Sequence, residues 1–142
     1  MTAETDAQLA TRLAVEAGHV LLGVREELVA AGAPSWQVMD TGDLAAHRFL
    51  LRALTEAHPD DAVLSEEGVE DPRRFTTDRV WIVDPLDGTN EFGEPGRSDW
   101  AVHVALWSGA RLSAGAVSLP ALGMVFSTDP APTLPPQQRE QP

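Results

Sequence analysis

The sequence predicts an α+β layered domain, and three observations carry the prediction. The amino-terminal part holds two long stretches with apolar side chains at three- and four-residue steps. The remainder holds short apolar runs bounded by turn residues. Ser108-Gly109-Ala110 separates two of these runs closely enough for a hairpin. Helices first and hairpins later is the order of an α+β layered domain.

The first helix is predicted from Glu4 to about Ala31. Leu9, Leu13, Ala17, Val20, Val24 and Leu28 form its apolar stripe, and Glu16, Glu26 and Glu27 fall on a solvated face. Thr5 or Thr2 supplies the amino-terminal cap, and Gly32 with Pro34 ends the helix. A second helix is predicted to open at Thr41 or Asp43 and to run to about Ala57, with Leu44, Phe49, Leu50, Leu51 and Leu54 available for packing. His58-Pro59-Asp60-Asp61 breaks it, and the two aspartates read as a solvated turn.

Ala62–Ser65 and Arg79–Val83 read as short buried strands around a charged loop. Trp100 to Trp107 is long enough for a central strand, with Trp100 in the core. Leu112–Leu119 and Met124–Thr128 supply two more, punctuated by Pro120. These elements fill residues 1–128 as one domain. Residues 129–142 are rich in Pro and Gln, lack apolar periodicity and are expected to be disordered.

Chemistry concentrates where the second strand ends. Trp81-Ile82-Val83-Asp84-Pro85-Leu86-Asp87-Gly88-Thr89 runs an apolar strand into two carboxylates, a glycine and a hydroxyl, and Ala62-Val63-Leu64 delivers Glu66-Glu67 upstream. Hard cations such as Mg2+ take oxygen ligands, usually a few carboxylates together with water and substrate phosphate. Pro85 is expected to end the strand at Asp84 and turn the chain so that Asp87 returns toward the same point. Gly88 permits close backbone approach, and its amide with that of Thr89 suits an anion. Phe92 is expected to return to the core. The four histidines, His19, His47, His58 and His103, show no ligand spacing and read as structural or exposed.

Asp84-Pro85-Leu86-Asp87-Gly88-Thr89 resembles the signature of the inositol monophosphatase superfamily of magnesium-dependent, lithium-sensitive phosphatases. Leu64-Ser65-Glu66-Glu67-Gly68 is similar to that family's upstream acidic motif, and Asp43 precedes Glu66 by a similar separation, 23 residues. Asn90-Glu91-Phe92 and Asp99-Trp100-Ala101-Val102-His103-Val104-Ala105-Leu106 look most like its CysQ branch, the 3'(2'),5'-bisphosphate nucleotidases. The resemblance covers about residues 5 to 128. It implies the family's amino-terminal half, with helices packed on a mostly antiparallel sheet.

It also implies roles. Glu66 would bind a first metal, Asp84 would bridge two metals, the Leu86 carbonyl would complete the first site, and Asp87 would bind the second. Asp87, Gly88 and Thr89 would bind substrate, the last two through backbone amides to phosphate. Asp43 would orient the Thr89 hydroxyl to help activate the nucleophilic water, with Glu66 counted among the catalytic groups. The implied reaction is Mg2+-dependent removal of the 3'-phosphate from 3'-phosphoadenosine 5'-phosphate by direct attack of metal-activated water. Inositol monophosphate is the alternative substrate.

The family's second half ordinarily supplies a further aspartate in a Trp-Asp-x-Ala-like motif. Trp36, Trp81, Trp100 and Trp107 match nothing of that kind here. A truncated homologue without turnover, or a subunit completed by a second copy or a complementary carboxy-terminal half, is therefore the competing reading.

The 142 residues carry 22 acidic against 10 basic side chains, a formal charge of −12. Such a surface repels nucleic-acid polymers and anionic membranes, whereas a small phosphate ester can be met through bound cations. There is no cysteine and hence no disulfide or thiolate metal site. The amino terminus lacks the pattern of a signal peptide, and the expected location is cytoplasmic.

Overall fold

The computed structural model describes residues 3–65 and 71–129. Helix α1 spans Asp6–Ala30 and α2 spans Ser35–Ala57. Strands β1 (Ala62–Ser65), β2 (Arg79–Asp87), β3 (Ala101–Ser108), β4 (Arg111–Leu119) and β5 (Met124–Ser127) follow, with a four-residue helix α3 (Thr89–Phe92) after β2. The sheet order is β1-β2-β3-β4-β5. β1 runs parallel to β2, and every other neighbour is antiparallel.

Thr5 caps α1 through a capping box with Gln8. The stripe begins as the spacing predicts, with Leu9, Leu13 and Ala17 buried, and continues through Leu21 and Arg25 rather than through Val20 and Val24, while Leu28 is partly buried against the core. A straight helix keeps one face on the sheet by mixing three- and four-residue steps, as Ala14, Gly18, Leu21 and Arg25 do, and the buried face ends on an arginine.

α2 starts earlier than the sequence predicts. Pro34 occupies the cap position with extended backbone, and Ser35 is already helical. Thr41-Gly42 looks like a helix boundary but lies in mid-helix. A Cβ at residue 42 would stand 2.5 Å from the Phe92 ring, so this glycine makes room for the core anchor.

Both helices cover one face of the sheet. Leu9, Leu13 and Leu21 of α1 and Val38, Leu50 and Leu54 of α2 enclose Trp81, Val83, Val102, Val104 and Leu106 of the sheet. Ser118 in β4 donates to the Ala14 carbonyl at 2.7 Å and ties α1 to the sheet. Trp100 and Phe92 are fully buried, in edge-to-face contact with centroids 4.9 Å apart.

The opposite face is apolar and open. Ile82, Trp107 and Phe126 are each more than one-third exposed on it. The β3–β4 turn needs positive φ at both central residues, Gly109 and Ala110, as a tight hairpin requires.

Asp61 corrects the solvated-turn expectation. It is buried, accepting from the Arg79 guanidinium at 3.0 Å and from the Trp81 indole at 2.9 Å. The charged loop between β1 and β2 contains a 3-10 turn, Pro72–Phe75, capped by Asp71. The tail expected to be disordered lies, from residue 130 on, outside the described residues.

Candidate metal centre

The site forms at one end of the open face, where β2 meets β3. β2 does not end at Asp84 as expected but continues through Pro85 to Asp87. The pairing explains how. Asp84 lies opposite His103 and Asp87 opposite Ala101, so three steps on β2 match two on β3. The extra residue is a β-bulge, which tolerates a proline lacking its amide hydrogen. In a regular strand, side chains three apart point to opposite faces. The bulge restores Asp87 to the face of Asp84, and the turning inferred from Pro85 is achieved in this way.

Asp84, Asp87 and His103 consequently converge, with one ligand atom from each lying within 4.8 Å of the others. His103 Nε2 is 3.0 Å from Asp87 Oδ2. The cluster borders a depression of about 430 Å3 that continues over Leu64, Ile82 and Ala105. β1 ends beside it, because Ser65 pairs with Val83, the residue before Asp84. Glu66, the expected first-metal ligand, and Glu67 lie outside the described residues.

Gly88 follows with φ +87°, and a Cβ there would sit 2.8 Å from the Asp99 carbonyl oxygen. Only glycine satisfies both conditions. The close approach seats the start of α3 on the β3 side of the site. The Thr89 hydroxyl donates to the Leu86 carbonyl at 3.3 Å rather than to Asp43, a local bond that Thr often makes across a tight turn. Leu86 and Thr89 are thereby linked.

Asp43 lies on α2 beside a smaller depression shared with Asp40, Leu44 and His47. His47, one turn further on, is 3.2 Å from Ser65 Oγ, so this face of α2 meets the end of β1.

The loop after α3 is held from behind by Arg25. Its guanidinium donates to the carbonyls of Arg97 (2.9 Å), Glu91 (3.4 Å) and Glu94. It also lies 5.6 Å from the ring centroids of both Phe92 and Trp100. Burial lowers its pKa from the ordinary arginine value. Nearer the surface, Arg97 pairs with Asp99 and Glu94, and its hydrogen bond holds the Asp99 carboxyl below the usual range.

A sequence model described as the inositol monophosphatase family matches residues 3–130. The chain belongs to the inositol monophosphatase family. Among its curated relatives, the 3'-phosphoadenosine 5'-phosphate phosphatase of Mycobacterium bovis is 50% identical over 120 residues, covering 80% of this chain and 44% of the relative. That of Mycobacterium leprae is 48% identical over 136 residues, covering 88% and 49%. The 3'(2'),5'-bisphosphate nucleotidase CysQ of Escherichia coli is 36% identical over 89 residues, 60% of this chain and 35% of the relative.

Among solved structures, Mycobacterium tuberculosis SuhB aligns with a TM-score of 0.69 at 30% identity, covering 85% of this chain and 42% of that one. The α+β layering on a mostly antiparallel sheet is thus the inositol monophosphatase fold over this portion. The chain spans less than half the length of the curated relatives it matches. No helix among the described residues is long and apolar enough to cross a membrane.

Two residues at or beside this candidate site were not legible in the sequence as site residues. His103 has no sequence-local ligand partner, because its neighbours come from the pairing of β3 with β2. Arg25 had a signal: it continues the four-residue steps of Leu13, Ala17 and Leu21 as a cation on an apolar stripe.

Proposed function

We propose that the chain carries the amino-terminal part of a Mg2+-dependent phosphomonoesterase site, acting on 3'-phosphoadenosine 5'-phosphate. The convergence of Asp84 and Asp87 across the β-bulge carries this reading. Two carboxylates beside a carbonyl suit a hard divalent cation. Asp84 and Asp87 would hold it with the Leu86 carbonyl, and Glu66 would join them as the first-metal ligand. When bound, the cation supplies Lewis-acid polarisation of a phosphoryl oxygen and makes a nearby water more acidic.

The chain's own groups supply the rest. The amides of Gly88 and Thr89 would receive phosphate, oriented by the left-handed backbone of Gly88 and by the support of Arg25 behind α3. The Thr89 hydroxyl and Asp43 would form the pair that orients the attacking water, which requires Thr89 to exchange its Leu86 partner. The relatives named as 3'-phosphoadenosine 5'-phosphate phosphatases favour the nucleotide over inositol monophosphate as substrate. A cytoplasmic place in sulfur metabolism goes with that substrate.

The open apolar face bearing Ile82, Trp107 and Phe126 would be covered by a complementary carboxy-terminal half of the kind the longer relatives have room for. A folded chain that stays monomeric in light scattering, and binds no such segment, would remove this part of the reading.

The test is phosphate release from 3'-phosphoadenosine 5'-phosphate and from inositol 1-phosphate, with and without Mg2+, beside an Asp84→Asn control. Mg2+-dependent release that is lost in the variant supports the proposal, and the better substrate fixes its class. Absence of turnover in a chain that still binds Mg2+ through Asp84 favours the non-catalytic homologue or subunit.

A further inference from the structure

The β2–β3 pairing sets an imidazole among the carboxylates of the proposed centre. We propose that His103 is itself a ligand of the cation held by Asp84 and Asp87, and that it biases the centre toward borderline transition-metal ions such as Co2+ over Mg2+. The inference rests on the metal reading above and adds a nitrogen donor and a selectivity to it.

His103 is the cross-strand partner of Asp84, and the bulge carries Asp87 to the same side. Its Nε2 stands 3.0 Å from Asp87 Oδ2. Two adjacent ligands of an octahedral ion with bonds of about 2.1 Å are themselves about 3.0 Å apart, so an ion fits between these atoms with little movement. Opposed ligands are about 4.2 Å apart by the same geometry. The three ligand atoms all lie within 4.8 Å of one another, close enough for small side-chain movements to bring them into that range.

The other described imidazoles are placed elsewhere. His47 meets Ser65, His58 lies 3.8 Å from both Asp6 and Asp61, and His19 borders a cleft between α1 and the β4–β5 connection.

A competing role uses the same contact. His103 could donate Nε2–H to Asp87 and merely fix the carboxylate, as many outer partners of metal ligands do. The two roles differ chemically. An orienting donor strengthens all cations alike. An imidazole ligand favours Co2+, Ni2+ and Zn2+ over Mg2+, which prefers oxygen.

The experiment titrates the 142-residue chain with Co2+, followed by its visible absorption, and with Mg2+ in competition. His103→Ala, His103→Gln and Asp84→Asn run alongside, each first checked for native near-UV circular dichroism. The expected result is that His103→Ala weakens Co2+ by at least the roughly tenfold that loss of even an indirect partner costs. Mg2+ affinity should change little, and the Co2+ band should shift as nitrogen is lost. His103→Gln, an oxygen donor, should keep Mg2+ without recovering the Co2+ preference.

Equal losses for both ions in His103→Ala, or no loss for either, would overturn the proposal while Asp84→Asn sensitivity keeps the metal reading. Binding that Asp84→Asn leaves intact, or no binding by the parent chain, would overturn that reading and the proposal together.

Discussion

The Trp81 indole Nε1 donates a 2.9 Å hydrogen bond to Asp61 Oδ2, joining the loop before β1 to the strand that carries the site. The same carboxylate takes the Arg79 guanidinium, which also reaches Asp6 at the start of α1. One aspartate therefore links α1, β1 and β2. Its replacement by Ala would strand a buried indole donor and leave Arg79 with Asp6 alone, at a cost of about 1–3 kcal/mol. Urea unfolding followed by tryptophan fluorescence measures the loss. Asp61→Asn, which keeps an acceptor, should lose less.

Gly88→Ala should damage both stability and cation binding. Positive φ alone costs a non-glycine residue about 1–3 kcal/mol. Here the added methyl would also meet the Asp99 carbonyl at 2.8 Å. Gly96 has φ +88° but open space around it, so Gly96→Ala isolates the backbone part. Thermal denaturation of the pair, with Mg2+ calorimetry on each, should show the larger loss and the weaker binding for Gly88→Ala.

Arg25→Leu keeps the apolar volume against Phe92 and Trp100 but removes the donor to three carbonyls. A destabilisation of about 2–3 kcal/mol is expected. Hydrogen exchange should accelerate at Phe92 and Gly93, whose amides close the turn of α3. Arg25→Lys, which retains the charge but not the planar fork, should restore only part of the protection.

Acid should loosen the approach to β1 through Asp71. This carboxylate accepts from the Arg73 guanidinium and from the Val63 amide, and the arginine holds its pKa down to about 2. The folded pKa lies below the unfolded value of about 3.9, so its contribution is present above that pH. It is lost as pH falls from about 4 to about 2. The stability of Asp71→Asn, measured by urea midpoint across that interval, should fall less steeply than that of the parent. Salt should shrink the difference, because Arg73 is half exposed.

Much of the layering could be read in the sequence because it is written in local periodicity. Leu9, Leu13 and Ala17 mark the buried face of α1, and the Gly109-Ala110 hairpin separates β3 and β4 as its turn residues indicate. What periodicity could not supply is what depends on partners far along the chain. Gly42 resembles a helix breaker until Phe92 is seen to need its space. Asp61 resembles a solvated turn until Arg79 and Trp81 arrive from the next strand. At the site, the spacing of Asp84 and Asp87 pointed to a cation. The third member, His103, enters only through strand pairing, and the bond of the Thr89 hydroxyl to the Leu86 carbonyl belongs to a local turn that spacing does not reveal.

The bulge at Pro85 also governs what a change in length would do to this segment. Deleting one residue between Asp84 and Asp87 would remove the bulge and leave two regular steps, which already share a face, but would withdraw a residue, and its carbonyl, from between the carboxylates. Exchanging Leu86 for another apolar residue would leave the facing untouched, since a carbonyl is supplied by any side chain. The segment between the two aspartates should therefore tolerate drift in its letters far better than loss of the residue that supplies the carbonyl.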